Sequence, residues 1–105
     1  MSGYFIKAQE AQTEYAIDWA KRHLRDGELV AEDLGWSIVP QQDPPAGLET
    51  LAMWSSGSMT GLTVGAGTPG LVYVLTGTIL TTDNRVVSHA VALRISGETL
   101  TGAET

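Results

Sequence analysis

The side chains that could perform chemistry are few and poorly spaced for it. His23 and His89 are the only histidines, and there is no cysteine. Thiolate nucleophiles, iron–sulfur clusters and cysteine-bound zinc are therefore excluded, and too few imidazoles remain for a His-rich catalytic metal set. His89 shares an alternating face with Val87 and Val91, which reads as a half-buried, hydrogen-bonded imidazole, and His23 reads as a corner residue. The serines of "SSGSMTG" do not form the G-x-S-x-G elbow of a nucleophile and suit a hairpin turn. Asp26, Glu28, Glu32 and Asp33 cluster as an oxygen-rich calcium site would, but no EF-hand or nonapeptide spacing supports one, and the cluster reads as a solvated face. The glycines of "VGAGTPG" are followed by neither Lys-Ser/Thr nor a helix, so they shape a turn and do not cradle a phosphate. No catalytic, cofactor or metal residue is assigned.

The elements that would carry these residues are mostly strands. Within "LVYVLTGTILTTDNRVVSHAVALRIS", residues 71 to 96, Leu71, Tyr73, Leu75 and Ile79 alternate, as do Val87, Val91, Leu93 and Ile95, around a "TTDNR" turn. Period two with a turn between is a β-hairpin. A second pair surrounds "SSGS": an apolar run at 51 to 54, then Leu62 and Val64. "LGWSIVP" alternates Leu34, Trp36 and Ile38, stops at Pro40, and is followed by the loop "QQDPPAG". Strands at even spacing with turn signals between them predict a sandwich. The ambiguous stretch is "TEYAIDWAKRHLRDGELV", residues 13 to 30. Its periodicity favours an amphipathic helix with Asp26-Gly27 as the stop, although Tyr15, Ile17 and Trp19 would also share one strand face.

Composition bounds the rest. A chain of 105 residues is one domain able to fold without disulfides. The net charge of -6 argues against a phosphate backbone as partner. The charges are uneven, with nine acids in residues 1–50 and only Asp83, Glu98 and Glu104 beyond, so the second half builds its surface from Thr, Ser and Gly. No apolar run approaches the roughly 20 residues of a membrane span, and "MSGYFIKAQE" lacks the basic and apolar regions of a secretory signal.

Phe5, Lys7, Ala11, Glu14-Tyr15, Ile17, Asp18-Trp19, Leu24, Gly27-Glu28 and Val30 fall into a register that resembles a family of tailed-bacteriophage fiber-tail adaptor proteins. The family's run is approximately F-x-K-D-P-x-A-x-L-D-Y-x-I-D-W-S, then W-L-x-x-G-D-x-I. The likeness continues through Trp36 and Pro40, Gly70 and Tyr73, and Thr82 and Arg85, covering about residues 5 to 95. Ala8-Gln9, Ala20, His23 and "GAGTPG" depart from the pattern. The resemblance implies an all-β, immunoglobulin-like or fibronectin III-like β-sandwich with one short helical turn. Residues 14 to 19 would then be a strand, 20 to 26 a helical turn in a solvated corner whose only buried residue is Leu24, and a strand would follow near 28 to 33.

On that resemblance the expected organisation is an N-terminal arm or start of the first strand at 1–12, a sandwich at 13–96 and a flexible tail at 97–105. The implied role is a non-enzymatic virion structural protein that joins tail or baseplate to fibers, without cofactor, nucleic acid or membrane. It would reside in the host cytoplasm before assembly and in the virion tail afterwards, where homo-oligomerisation is compatible with it. A carbohydrate- or host-surface-binding module is the alternative. Candidate partner-binding residues are Tyr4 and Ile6, because three consecutive large apolar residues cannot all face one core, and Trp54, which points outward if Leu51 and Met53 point inward.

Overall fold

The computed structural model describes residues 4–42 and 47–96. The expected tail at 97–105 lies outside the described residues, as do residues 1–3 and the middle of the Pro-rich loop at 43–46. Seven strands and one helical turn follow in order: β1 (Tyr4–Lys7), β2 (Thr13–Asp18), α1 (Trp19–Arg22), β3 (Val30–Val39), β4 (Leu48–Ser56), β5 (Met59–Ala66), β6 (Val72–Thr81) and β7 (Val86–Ile95). They form a four-stranded sheet in the order β1-β7-β6-β3 and a three-stranded sheet in the order β2-β5-β4. With β2, β5, β4 as strands B, E, D and β3, β6, β7 as C, F, G, this is the immunoglobulin-like sandwich. β1 runs parallel to β7 in the second sheet.

The segment that periodicity alone would make a helix is a strand for six residues and helical for only four. Antiparallel pairing of Thr13–Asp18 with β5 places Ile17 opposite Thr60 and Tyr15 opposite Leu62, facing the core. Trp19 begins the helical turn fully buried, and its indole Nε1 donates to Thr60 Oγ1 at 3.0 Å. The tertiary pairing of β2 with β5 outweighs the local helical pattern because it buries Ile17 and Trp19 and satisfies the indole at once.

Tyr73, Leu75, Ile79, Val91, Leu93 and Ile95 form the core side of the β6–β7 hairpin, with Leu62 and Val64 facing them. Antibody domains place a Trp of strand C against a B–F disulfide; this chain has no cysteine. Trp36 of β3 instead meets Ile17 of β2 above Gly77 of β6, where an added Cβ would lie 3.1 Å from Ile17 Cδ1 and 3.2 Å from Trp36 Cη2. Glycine at 77 makes room for the indole. Near the start of strand F, the Tyr73 hydroxyl accepts from Thr68 N at 2.9 Å and donates to Gln42 Oε1 at 2.6 Å, as in the tyrosine corner of immunoglobulin folds.

Three expectations are corrected. Leu34 was expected inside with Trp36 and Ile38, but a bulge between Asp33 and Gly35 leaves it exposed. Leu51 and Met53 are also exposed: the bulge after Thr50 turns Leu51 onto the outer face beside Gly65, and Met53, though opposite Leu62, lies on an uncovered edge strand. Glu28 belongs to no solvated face. It is buried, and its carboxylate accepts hydrogen bonds from Arg25 N at 2.8 Å, Thr81 Oγ1, Arg85 Nε at 2.9 Å and Arg85 Nη2 at 2.6 Å.

The Arg85 guanidinium holds the Glu28 carboxyl down at about 2 from its ordinary 4.5, against burial, which pushes the other way. A depressed carboxylate stabilises the fold above its unfolded value and loses that contribution as pH falls from 4.5 to about 2. Melting temperatures followed from neutral pH downward should therefore drop steeply across that window. Glu28→Gln should melt lower at neutral pH and decline less steeply below 4.5; an unchanged acid limb in that variant would show that other carboxylates carry it.

Candidate protein-binding surfaces

Among the described residues there is no group of three or more His, Cys, Asp or Glu side chains that could hold a metal. The two histidines, far apart in sequence, do meet: His23 Nε2 and His89 Nδ1 lie 3.0 Å apart, one donating and the other accepting. Trp19 packs against His23 with ring centroids 5.2 Å apart. Burial, then the field of Arg22, holds the His23 pKa below its usual value; for His89 the causes are burial, then His23. The pair is thus a neutral packing unit that closes one side of the sandwich between α1 and β7.

Strand register decides where the candidate partner-binding residues go. On β1, Phe5 lies opposite the buried Leu93, and its ring meets Tyr15 edge-on at 5.1 Å. Ile6 lies opposite the exposed Arg94 and therefore on the outer face of the four-stranded sheet. Tyr4 pairs with Ala92. Trp54 sits on β4 on the outer face of the other sheet, so the structure does not bring it together with Ile6. An added Cβ at Gly61 would overlap the Trp54 indole, and its Nε1 donates to Glu14 Oε2 at 2.8 Å. The ring lies flat across β5, tied to β2.

The residues around Ile6 form a surface that sequence reading missed. Arg94 stands between Ile6 and Val72, and the next row of the sheet runs from Tyr4 through Ala92 and Val74 to Val39. Ile6 is 62%, Val39 54%, Val72 44% and Val74 37% exposed. The two rows beyond contain only Ser37, Thr76 and Ala90, then Gly35, Thr78 and Ser88. Across these four rows Arg94 is the single charge and no carboxylate occurs, on a chain whose net charge is -6. The available signal was in "VYVLTGT": alternation already assigns Tyr73 and Leu75 to the core, so Val72 and Val74 are apolar residues facing out. Singly exposed valines are ordinary, but a row across several strands, rimmed by small polar residues, marks an interaction surface.

An immunoglobulin-like sandwich whose outer face carries Ile6, Val72, Val74 and Val39 side by side is a scaffold with an exposed apolar patch of the kind that docks other proteins. The family described as podophage GP4 fiber-tail adaptor protein gp77 matches residues 7–94. The chain belongs to this family of phage fiber-tail adaptors. No curated protein matches it.

The burial of Trp19 and Trp54 separates their roles. Trp19→Ala removes a fully buried indole and should cost about 3–5 kcal/mol. Trp54→Ala removes a half-buried surface ring with one hydrogen bond and should cost about 1–2 kcal/mol. Denaturant melts compare the two directly, and equal losses would contradict this assignment of faces.

Proposed function

We propose that the protein is a non-enzymatic virion adaptor that joins the tail or baseplate of a podophage to its fibers, with the outer face of the β1-β7-β6-β3 sheet as one of its protein-docking surfaces. The carrying observation is that exposed Ile6, Val72, Val74 and Val39 adjoin in two neighbouring rows of this face in which no carboxylate occurs. Family membership supplies the partners' class: tail and fiber proteins. Ile6 is included in this surface because it lies opposite the exposed Arg94. Assembly in the host cytoplasm and residence in the virion tail follow from the same reading.

Trp54 is a weaker partner-binding candidate than Ile6, because its indole nitrogen is committed to Glu14 and one ring face to Gly61. A carbohydrate-binding module would draw on Trp54 and Asn84, which lie on β4 and in the β6–β7 turn of the other sheet.

The test uses single substitutions, because deleting the arm would also remove a paired strand and the buried Lys7. Ile6→Asp, at a 62% exposed site, and Val74→Asp, at a 37% exposed site on a strand paired on both sides, should lower stability by about 1 and about 1–2 kcal/mol, which melting curves run alongside must show to be short of unfolding. In a complementation assay both should yield particles that lack fibers, whereas Glu49→Ala, exposed on β4 of the other sheet, should leave particle yield and stability intact. Fiber-bearing particles at normal yield from both Asp variants would remove this face from the interface.

A further inference from the structure

The two outer faces of the sandwich carry opposite charge. Tyr15 and Ile17 of β2 and Leu62 and Val64 of β5 face the core, so alternation turns Glu14, Ala16, Gly61, Thr63 and Gly65 to the outside. Glycine at 61 and 65 lets two large side chains of β4 lie down on this face. A Cβ added at Gly61 would overlap the Trp54 indole, and one added at Gly65 would lie 3.0 Å from Leu51 Cδ1. Between them runs the row Ala52–Thr63–Glu14. Trp54 Nε1 donates to Glu14 Oε2 at 2.8 Å, which pins an exposed carboxylate beside the apolar pair. Across the rows from Glu49–Gly65 to Trp54–Gly61–Ala16 the charges are Glu14 and Glu49, with no Lys or Arg among them.

The β1-β7-β6-β3 face has the converse arrangement. Ile6 and Val72 flank the exposed Arg94, and Val74 and Val39 follow in the next row without a carboxylate. Each face thus sets large apolar side chains around a charge, cationic on one side of the molecule and anionic on the other. Pairing a face with its own image would bring Arg94 against Arg94 or Glu14 against Glu14, and like-charge juxtaposition disfavours both. Pairing the two different faces joins apolar to apolar and gives Arg94 the acceptor that a covered cation demands.

We propose that the protein docked on the β1-β7-β6-β3 face is a second copy of this chain, presenting its β2-β5-β4 face. Arg94 of one copy meets the Glu14 carboxylate of the next, and Ile6 and Val72 close over Leu51 and the outward side of the Trp54 ring. Ile6 and Trp54, on opposite sides of one chain, meet between copies. Such a contact is heterologous, so copies add head to tail and close into a ring or continue as a filament. Glu49 contributes a rim charge, worth little singly, and Glu49→Ala leaves the contact standing. The contact rests on the reading of the β1-β7-β6-β3 face as a protein-docking surface, for which it supplies the occupant.

Sedimentation velocity of the purified full chain, up to about 1 mM at the weak end of specific affinities, reads the contact. The parent should associate as concentration rises, and more weakly in high salt. Ile6→Asp spoils one face and Leu51→Asp the other, so each variant alone should self-associate at least tenfold more weakly. Mixed in equal amounts they should form dimers and nothing larger, because one intact face of each kind remains. Arg94→Gln and Glu14→Gln lie at exposed sites, and the latter keeps an acceptor for Trp54. Each should weaken association about tenfold, and the double variant should lose little more, as a coupled pair does. These two carry the test if melting curves show an Asp variant unfolded. A parent that stays monomeric at about 1 mM overturns the proposal, as do association that survives in both Asp variants, an Asp mixture that does not associate, or additive losses at Arg94 and Glu14. Association that appears only on deleting residues 97–105 overturns it too, because the chain's own tail would then be the occupant. The adaptor reading is decided separately: if particles of Ile6→Asp and Val74→Asp lack fibers while the purified parent is monomeric, the face docks another tail or fiber protein.

Discussion

The Glu28 carboxylate is the constraint around which one end of the sandwich is built. It sits between α1 and β3, where the chain crosses from one sheet to the other, and accepts from Arg25 N, Thr81 Oγ1 and both Arg85 nitrogens. A buried carboxylate is tolerable only when its lone pairs are matched, and here a bidentate guanidinium matches two of them. The same guanidinium donates through Nη2 to His23 O at 3.0 Å, which fixes the end of α1. Leu29 and Thr82 are then held together by Thr82 N to Leu29 O and by Leu29 N to Thr82 Oγ1. One carboxylate thus sets how the β6–β7 turn meets the α1–β3 corner, and with it the placement of His23 against His89.

The opposite end is tied by a buried cation. Lys7 Nζ donates to Ala8 O, Gln9 O and, across to the other sheet, Ala66 O at 2.7 Å. Burial lowers its pKa, and the three carbonyls keep the ammonium satisfied. Because Lys7 is inside, its neighbour Ile6 must face out, since adjacent strand residues point to opposite sides. The exposure of Ile6 is therefore a consequence of where the sheets are fastened.

The strand framework was legible because its signal is local. Alternation in β6 and β7, the Asp83-Asn84 turn with Asn84 at φ 60°, and the turn at Gly57 are each written within a dozen residues. The ambiguity at 13–30 was not resolvable from periodicity, because the decision rests on β5, some 45 residues away, and needed the family resemblance. Glu28 looked like one acid among four for the same reason: its partner Arg85 is 57 positions distant. Bulges at Leu34 and Leu51 defeated face assignment, because one extra residue inverts the alternation beyond it. The outward row of valines was visible in part, but only register across four strands shows that Ile6, Val72, Val74 and Val39 adjoin.

If the outer face docks a partner, Arg94 gives it selectivity. It stands between Ile6 and Val72, exposed, with Ala92 and Val74 in the adjoining row. In the free chain its guanidinium keeps a hydrated charge in the middle of an apolar patch, which discourages edge-to-edge or face-to-face association of copies that carry the same charge. A partner that covers the patch dehydrates that charge and must return an acceptor to it, since an unpaired buried cation outweighs the gain from covering a few valines. A complementary surface would therefore be apolar with one acidic or carbonyl group opposite Arg94, a requirement that rejects surfaces which are merely hydrophobic.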